Sequence, residues 1–93
     1  MRVRNVVIDG ETAIEFPTKC LRFMVKNFSS NDILVSFVPN PQADEFIKIK
    51  RGMGQVVVDN INLNSVADYQ EFAHSTIYIN GSGEVEVQQL CYL

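Results

Sequence analysis

Residues 76–93 read TIYINGSGEVEVQQLCYL, and the fold class turns on how this stretch alternates. Ile77 and Ile79 alternate with Thr76, Tyr78 and Asn80, and Val85 and Val87 alternate with Glu84, Glu86 and Gln88. Successive side chains of a strand point to opposite faces, so each run presents one apolar and one polar face. Gly81-Ser82-Gly83 separates the runs, and glycine reaches the positive-φ conformations that turn a chain. The pattern predicts a β-hairpin whose apolar face lies on a core made by the rest of the chain. Past Val87 the parity is mixed: Gln89 and Cys91 share the parity of the valines, whereas Leu90 and Tyr92 take the other. Either a bulge near Gln88-Gln89 switches the faces, or the end of the strand is covered on both sides. Termini usually fray and are polar. The apolar end formed by Leu90, Tyr92 and Leu93 is therefore expected to be held by the strand at residues 3–8 or by another subunit.

Upstream, the same period recurs. Residues 3–8 (VRNVVI) and 12–16 (TAIEF) flank Asp9-Gly10, a turn signal, and predict a short N-terminal hairpin that Pro17 ends by removing a backbone donor. Residues 20–27 place Leu21, Phe23 and Val25 on one face. Residues 33–38 place Ile33, Val35 and Phe37 on one face, with Leu34 and Val38 partly covering the other. Residues 45–50 and the β-branched run 55–59 are further strands, the latter with the composition of a buried one. Residues 60–75 break the rhythm. Ser65 is a candidate helix cap with Asp68 three residues on, and Val66, Tyr69 and Phe72 recur at helical spacing, so one or two helical turns or a structured loop are expected there. Seven or so short strands with turn signals about every ten residues predict one all-β domain over residues 1–93. It is read as an antiparallel β-sandwich, jelly-roll-like or a small barrel, in mostly meander-like order.

A chain of 93 residues has room for one core. Its 46% hydrophobic and 20% charged residues suit a globular domain. A net charge of −3 argues against a nucleic-acid surface, which is normally basic. No apolar run is long enough to span a membrane, and Asp9 and Glu11 interrupt the N-terminal stretch before a signal sequence forms. Without such a signal, Cys20 and Cys91 are expected to be free, buried thiols.

No constellation points to catalysis. His74 is the single histidine and has no cysteine near it in sequence, so it reads as a solvent-facing or end-capping residue. An imidazole cluster of the kind that holds metal in cupins cannot form. The carboxylates are scattered, as on a solvated face, and match no calcium-loop spacing. Lys48, Lys50 and Arg51 form a small basic cluster on an exposed face. Gly52-Met53-Gly54 and Gly81-Ser82-Gly83 lack the lysine of a phosphate loop and read as turns. No catalytic residue, cofactor or metal is assigned.

Three segments together carry a resemblance: VKNFSSNDILVSF (25–37), IKIKRGMGQVVV (47–58) and STIYINGSGEVEVQ (75–88). Their order of strand, Asn and small polar turn, then a Gly-containing turn, then a terminal Gly-rich turn resembles the small β-sandwich structural proteins of tailed bacteriophages and prophages. Lys50-Arg51 and the long stretch 60–75 depart from that pattern. The resemblance implies a non-enzymatic virion accessory protein of capsid or tail. Such a protein docks by strand edges and apolar end residues onto copies of itself or another virion protein, with no nucleic acid and no membrane, in the virion or the bacterial cytoplasm. The expected interface residues are Tyr69, Phe72, Leu90, Tyr92 and Leu93. A carbohydrate- or small-ligand-binding module is the alternative, with Tyr78 stacking on a sugar beside Asn80.

Overall fold

The computed structural model describes residues 2–59 and 70–91. Among the described residues six strands make one antiparallel sheet: β1 (Arg2–Cys20), β2 (Arg22–Asn27), β3 (Ile33–Ser36), β4 (Phe46–Ile49), β5 (Gly54–Val58) and β6 (His74–Gln89). The sheet is nearly closed and barrel-like, and residues 70–72 form a helical turn. Among the described residues no helix is long and apolar enough to cross a membrane.

The two expected hairpins are instead two long strands paired with each other. Arg2 pairs with Gln89, and the ladder runs without a shift to Glu15 and Thr76. The glycine breaks meet within it: Gly10 faces Gly81 and Ile8 faces Gly83. Both strands therefore bend together where their glycines lie, and neither folds back on itself. Gly10 has φ 78° and Gly83 φ 125°, values that side-chain-bearing residues rarely adopt. Close approach adds a second requirement. A Cβ on Gly83 would lie 2.5 Å from Ser29 Cβ, and one on Gly81 would lie 2.8 Å from Ile33 Cγ2.

The bend divides β1 and β6 into limbs. Residues 82–89 of β6 lie between residues 2–9 of β1 and strand β2, which in turn pairs with β5. Residues 76–80 lie between residues 11–15 of β1 and strand β3, which pairs with β4. This order is nested, not the expected meander: β3 pairs with its neighbour β4, but β2 reaches across both to β5.

Inward side chains from both limbs form one cluster. Ile8, Ile14 and Phe16 of β1 pack with Phe23 and Val25 of β2, Ile33 and Val35 of β3, and Ile77, Ile79, Val85 and Val87 of β6. Burying an aliphatic side chain fully stabilises by roughly 1.5–3 kcal/mol, so this cluster holds the two limbs together. Its aromatic members run in a chain, Phe16 to Phe23 at 5.9 Å and Phe23 to Phe37 at 5.8 Å between centroids. β5 differs from its expected burial: only Val57 is buried and Val56 is 43% exposed, because β5 is an edge strand with one neighbour.

Two buried polar side chains tie the ends of the strands. Asn27 is fully buried, and its Nδ2 donates to the carbonyls of Asn31 at 2.8 Å and Ile49 at 3.1 Å. Its Oδ1 accepts from the Ser29 amide at 2.9 Å and the Ser29 hydroxyl at 2.6 Å. The Asn-x-Ser sequence is thus a buried knot joining the β2–β3 turn to the end of β4. Gln89 is 1% exposed, and its Nε2 donates to the Thr18 carbonyl at 2.7 Å.

The end of β6 keeps its parity. Val85, Val87 and Gln89 all point inward, so no bulge switches the faces. Cys91 is bonded to Cys20, with Cα atoms 5.8 Å apart. The expectation of two free thiols is therefore corrected: folding brings together two residues 71 positions apart in the chain. Of the apolar end expected to be held, Leu90 falls among the described residues, and Tyr92 and Leu93 lie outside them. Leu90 donates its amide to the Arg22 carbonyl at 3.0 Å, so the far end of β1 and the start of β2 secure it.

Candidate functional site

Of the five expected interface residues, Tyr69, Tyr92 and Leu93 lie outside the described residues. Leu90 is half-buried beside the disulfide, and Phe72 is half-buried in the helical turn. Neither is an exposed apolar anchor. Ser65, Val66 and Asp68 likewise lie outside the described residues.

The exposed apolar side chains gather elsewhere. On the outer face of the sheet formed by residues 2–9, 82–89, β2 and β5, the register sets Val3, Gln88, Met24 and Val56 in one row across four strands. The next row is Asn5, Glu86, Lys26 and Gly54. Val3 is 44% exposed, Val56 43% and Val7, two residues further along β1 on the same face, 79%. Phe28 and Met53 stand exposed at the rim where β2 ends and β5 begins. At the centre, Lys26 Nζ lies 3.4 Å from Glu86 Oε2, and the Gln88 side-chain amide donates to the same carboxylate at 2.7 Å. The Gln88 hydrogen bond is the main cause that holds the Glu86 carboxyl below its ordinary pKa; burial opposes it, and the Lys26 ammonium adds to the lowering.

The opposite outer face carries a cleft of about 330 Å³. The register builds it. Ser36 of β3 lies between Phe46 of β4 on one side and Tyr78 of β6 on the other, so a small side chain stands between two rings. Ser36 is buried, and its hydroxyl both donates to the Val38 carbonyl at 2.9 Å and accepts from the Val38 amide at 3.0 Å. One row along, Leu34 faces Asn80, and Asn80 faces Glu11 of β1. Asn40 and Pro41 complete the lining from the β3–β4 loop. The Asn40 amide donates to Glu11 Oε1 at 2.8 Å, and Asn40 takes φ 47° there, a conformation asparagine tolerates better than most residues. Tyr78 and Asn80 thus share one cavity, and Glu11, Phe46 and Asn40 are members that periodicity alone does not show.

His74, expected to face solvent or to cap an end, is half-buried at the start of β6. Its ring stacks on Phe37 with centroids 4.5 Å apart, and Nε2 lies 2.8 Å from Asp59 Oδ2. The pair fastens the start of β6 to the end of β5. Lys48, Lys50 and Arg51 are all exposed.

Comparison of the chain with protein-family models, with curated proteins and with solved structures returns no match.

Proposed function

We propose that this chain is a non-enzymatic structural protein of a tailed-phage or prophage virion, a jelly-roll module that assembles with a second copy of itself. Taking the limbs of β1 and β6 separately gives eight segments in chain order. The first pairs with the eighth, the second with the seventh, the third with the sixth and the fourth with the fifth. The eighth also pairs with the third, and the seventh with the fourth. That order supports a ribbon wrapped into two four-stranded sheets, the jelly-roll arrangement used by viral capsid domains and also by lectins. Fold does not fix function, so the role is argued from the surface.

The observation that carries the assembly reading is the valine face. Five of the six large apolar side chains exposed among the described residues, Val3, Val7, Phe28, Met53 and Val56, lie on it or at its rim. Exposed apolar patches on one face mark interaction surfaces. The central Lys26 and Glu86 pair makes the face self-complementary, because a two-fold axis sets each charge against its opposite on the second copy. The Cys20–Cys91 bond suits a particle that works outside a reducing cytosol.

Sedimentation of the wild-type chain beside a Val7→Glu, Val56→Lys variant tests this. The wild type is expected to sediment as a dimer or larger closed assembly and the variant as a monomer, with equal melting temperatures. A wild type that stays monomeric at high concentration would sink the reading.

A further inference from the structure

We infer that the cleft between Phe46 and Tyr78 is a binding site for a single neutral pyranose unit, a site separate from the valine face. Its size is the first constraint. At about 330 Å³ it sits at the lower end of ligand cavities, which suits one sugar ring and not a nucleotide or a long chain.

Its chemistry is the second constraint. Among the described residues no Lys or Arg lines the cleft, and the one charged side chain that does is the Glu11 carboxylate. A phosphate or carboxylate ligand would find one repelling anion in the lining, with Lys48 standing outside it across from Leu34. A metal ion would find a single carboxylate where several oxygen ligands are needed. A cationic ligand would find two rings and a carboxylate, but an ammonium group accepts no hydrogen bond from the Asn80 side chain, and choline is therefore the competitor in the test. A pyranose meets each feature. It has an apolar C–H face for an aromatic ring and hydroxyls at its edge. Those hydroxyls both donate and accept, which matches the Asn80 amide, the Tyr78 hydroxyl and the free oxygen of Glu11.

The third constraint is preorganisation. Ser36 has its hydroxyl tied to the Val38 backbone, so it gives the ring space without competing for its hydroxyls. The cleft floor is sheet, and the Glu11–Asn40 hydrogen bond holds the loop that forms its far wall. Little ordering is left to be done on binding.

The test is titration of the ¹⁵N-labelled protein with methyl glycosides of glucose, galactose, mannose and N-acetylglucosamine, followed by amide shifts. At least one is expected to bind in the millimolar range and to shift Ser36, Tyr78 and Asn80. Asn80→Ala, at an exposed position that leaves packing alone, is expected to weaken binding about tenfold, and Glu11→Gln about fivefold. Tyr78→Phe keeps the ring and is expected to lose only the hydroxyl contribution, about threefold. Val56→Lys on the opposite face is expected to bind as the wild type does, whether or not the chain assembles. Absence of shifts with all four glycosides would overturn the inference. So would shifts confined to another surface, or binding of choline chloride in place of the sugars.

Discussion

The folded sheet is closed at both ends, by opposite means. At one end β1 and β6 bend through Gly10, Gly81 and Gly83, and the backbone itself makes the corner. At the other end the limbs meet as separate pieces of chain, and Cys20–Cys91, Gln89 to Thr18 and Leu90 to Arg22 fasten them. The corner depends on side chains being absent; the clasp depends on particular ones being present. A closure of the first kind fails when anything is added, and one of the second kind fails when something is removed.

The largest expected effect follows from adding to the corner. Gly83→Val places a branched side chain at φ 125° and against Ser29, and is expected to abolish the cooperative unfolding transition. Gly10→Ala is the contrast: its φ is 78° but its Cβ would meet nothing within 4 Å. It is expected to cost only the conformational strain, about 1–2 kcal/mol, read from denaturant midpoints. If the two substitutions cost the same, close approach to Ser29 is irrelevant and the corner is a matter of backbone conformation alone.

Removing the clasp ranks next. Cys20→Ser with Cys91→Ser is expected to lower stability by roughly 4 kcal/mol in the loop-entropy account of so long a closed loop, or on the order of 20 °C in Tm for a domain of this size. Reduction of the wild type should do the same. An unchanged Tm would show that Gln89, Thr18 and the core hold that end unaided.

How much of this was legible in the sequence differs between the two ends. The alternation of Ile77, Ile79, Val85 and Val87 announces strands, and the strands are there. Gly81-Ser82-Gly83 has turn composition and by itself predicts a hairpin turn. The parity, however, runs unbroken through them: residues 77, 79, 81, 83, 85, 87 and 89 all face inward or take inward positions. An uninterrupted period across glycine is the signature of one bent strand, with the glycines on the crowded inner side. The clasp has no such signature. Cys20 and Cys91 meet only because β1 and β6 are partners, a long-range fact that local spacing does not contain. The cleft is intermediate. Tyr78 and Asn80 share the polar parity of β6 in the sequence itself, while Phe46, Ser36 and Glu11 join them only through the register of three ladders.

The smallest effect lies between the two closures, on the valine face. The folded-state pKa of Glu86 is lowered by Gln88 and Lys26, so its contribution is fully present above the ordinary value of about 4.3. It fades as pH falls through the lower folded value. Glu86→Gln lacks that titration. The stability difference between wild type and variant is therefore expected to shrink on acidification below about pH 4 and to be small throughout, because the pair is solvent-screened. A difference that grew toward low pH would mean that Lys26 and Gln88 do not favour the charged form.

The length of β1 has a consequence for aggregation. Among the described residues it pairs only with β6, which leaves a second edge of a long strand without a ladder partner. Such an edge is a template for unwanted strand addition. Here it is guarded along its whole course. Arg2, Arg4, Asp9, Glu11, Glu15 and Lys19 punctuate it with charge, Pro17 removes a donor, and the bend at Gly10 prevents a flat approach. Arg4 goes further and spends a guanidinium hydrogen bond of 2.8 Å on the Glu15 carbonyl, stopping one exposed acceptor from recruiting a stranger. Strand-to-strand growth into fibres is thereby discouraged, and any contact between copies is steered away from the backbone edge toward side-chain surfaces.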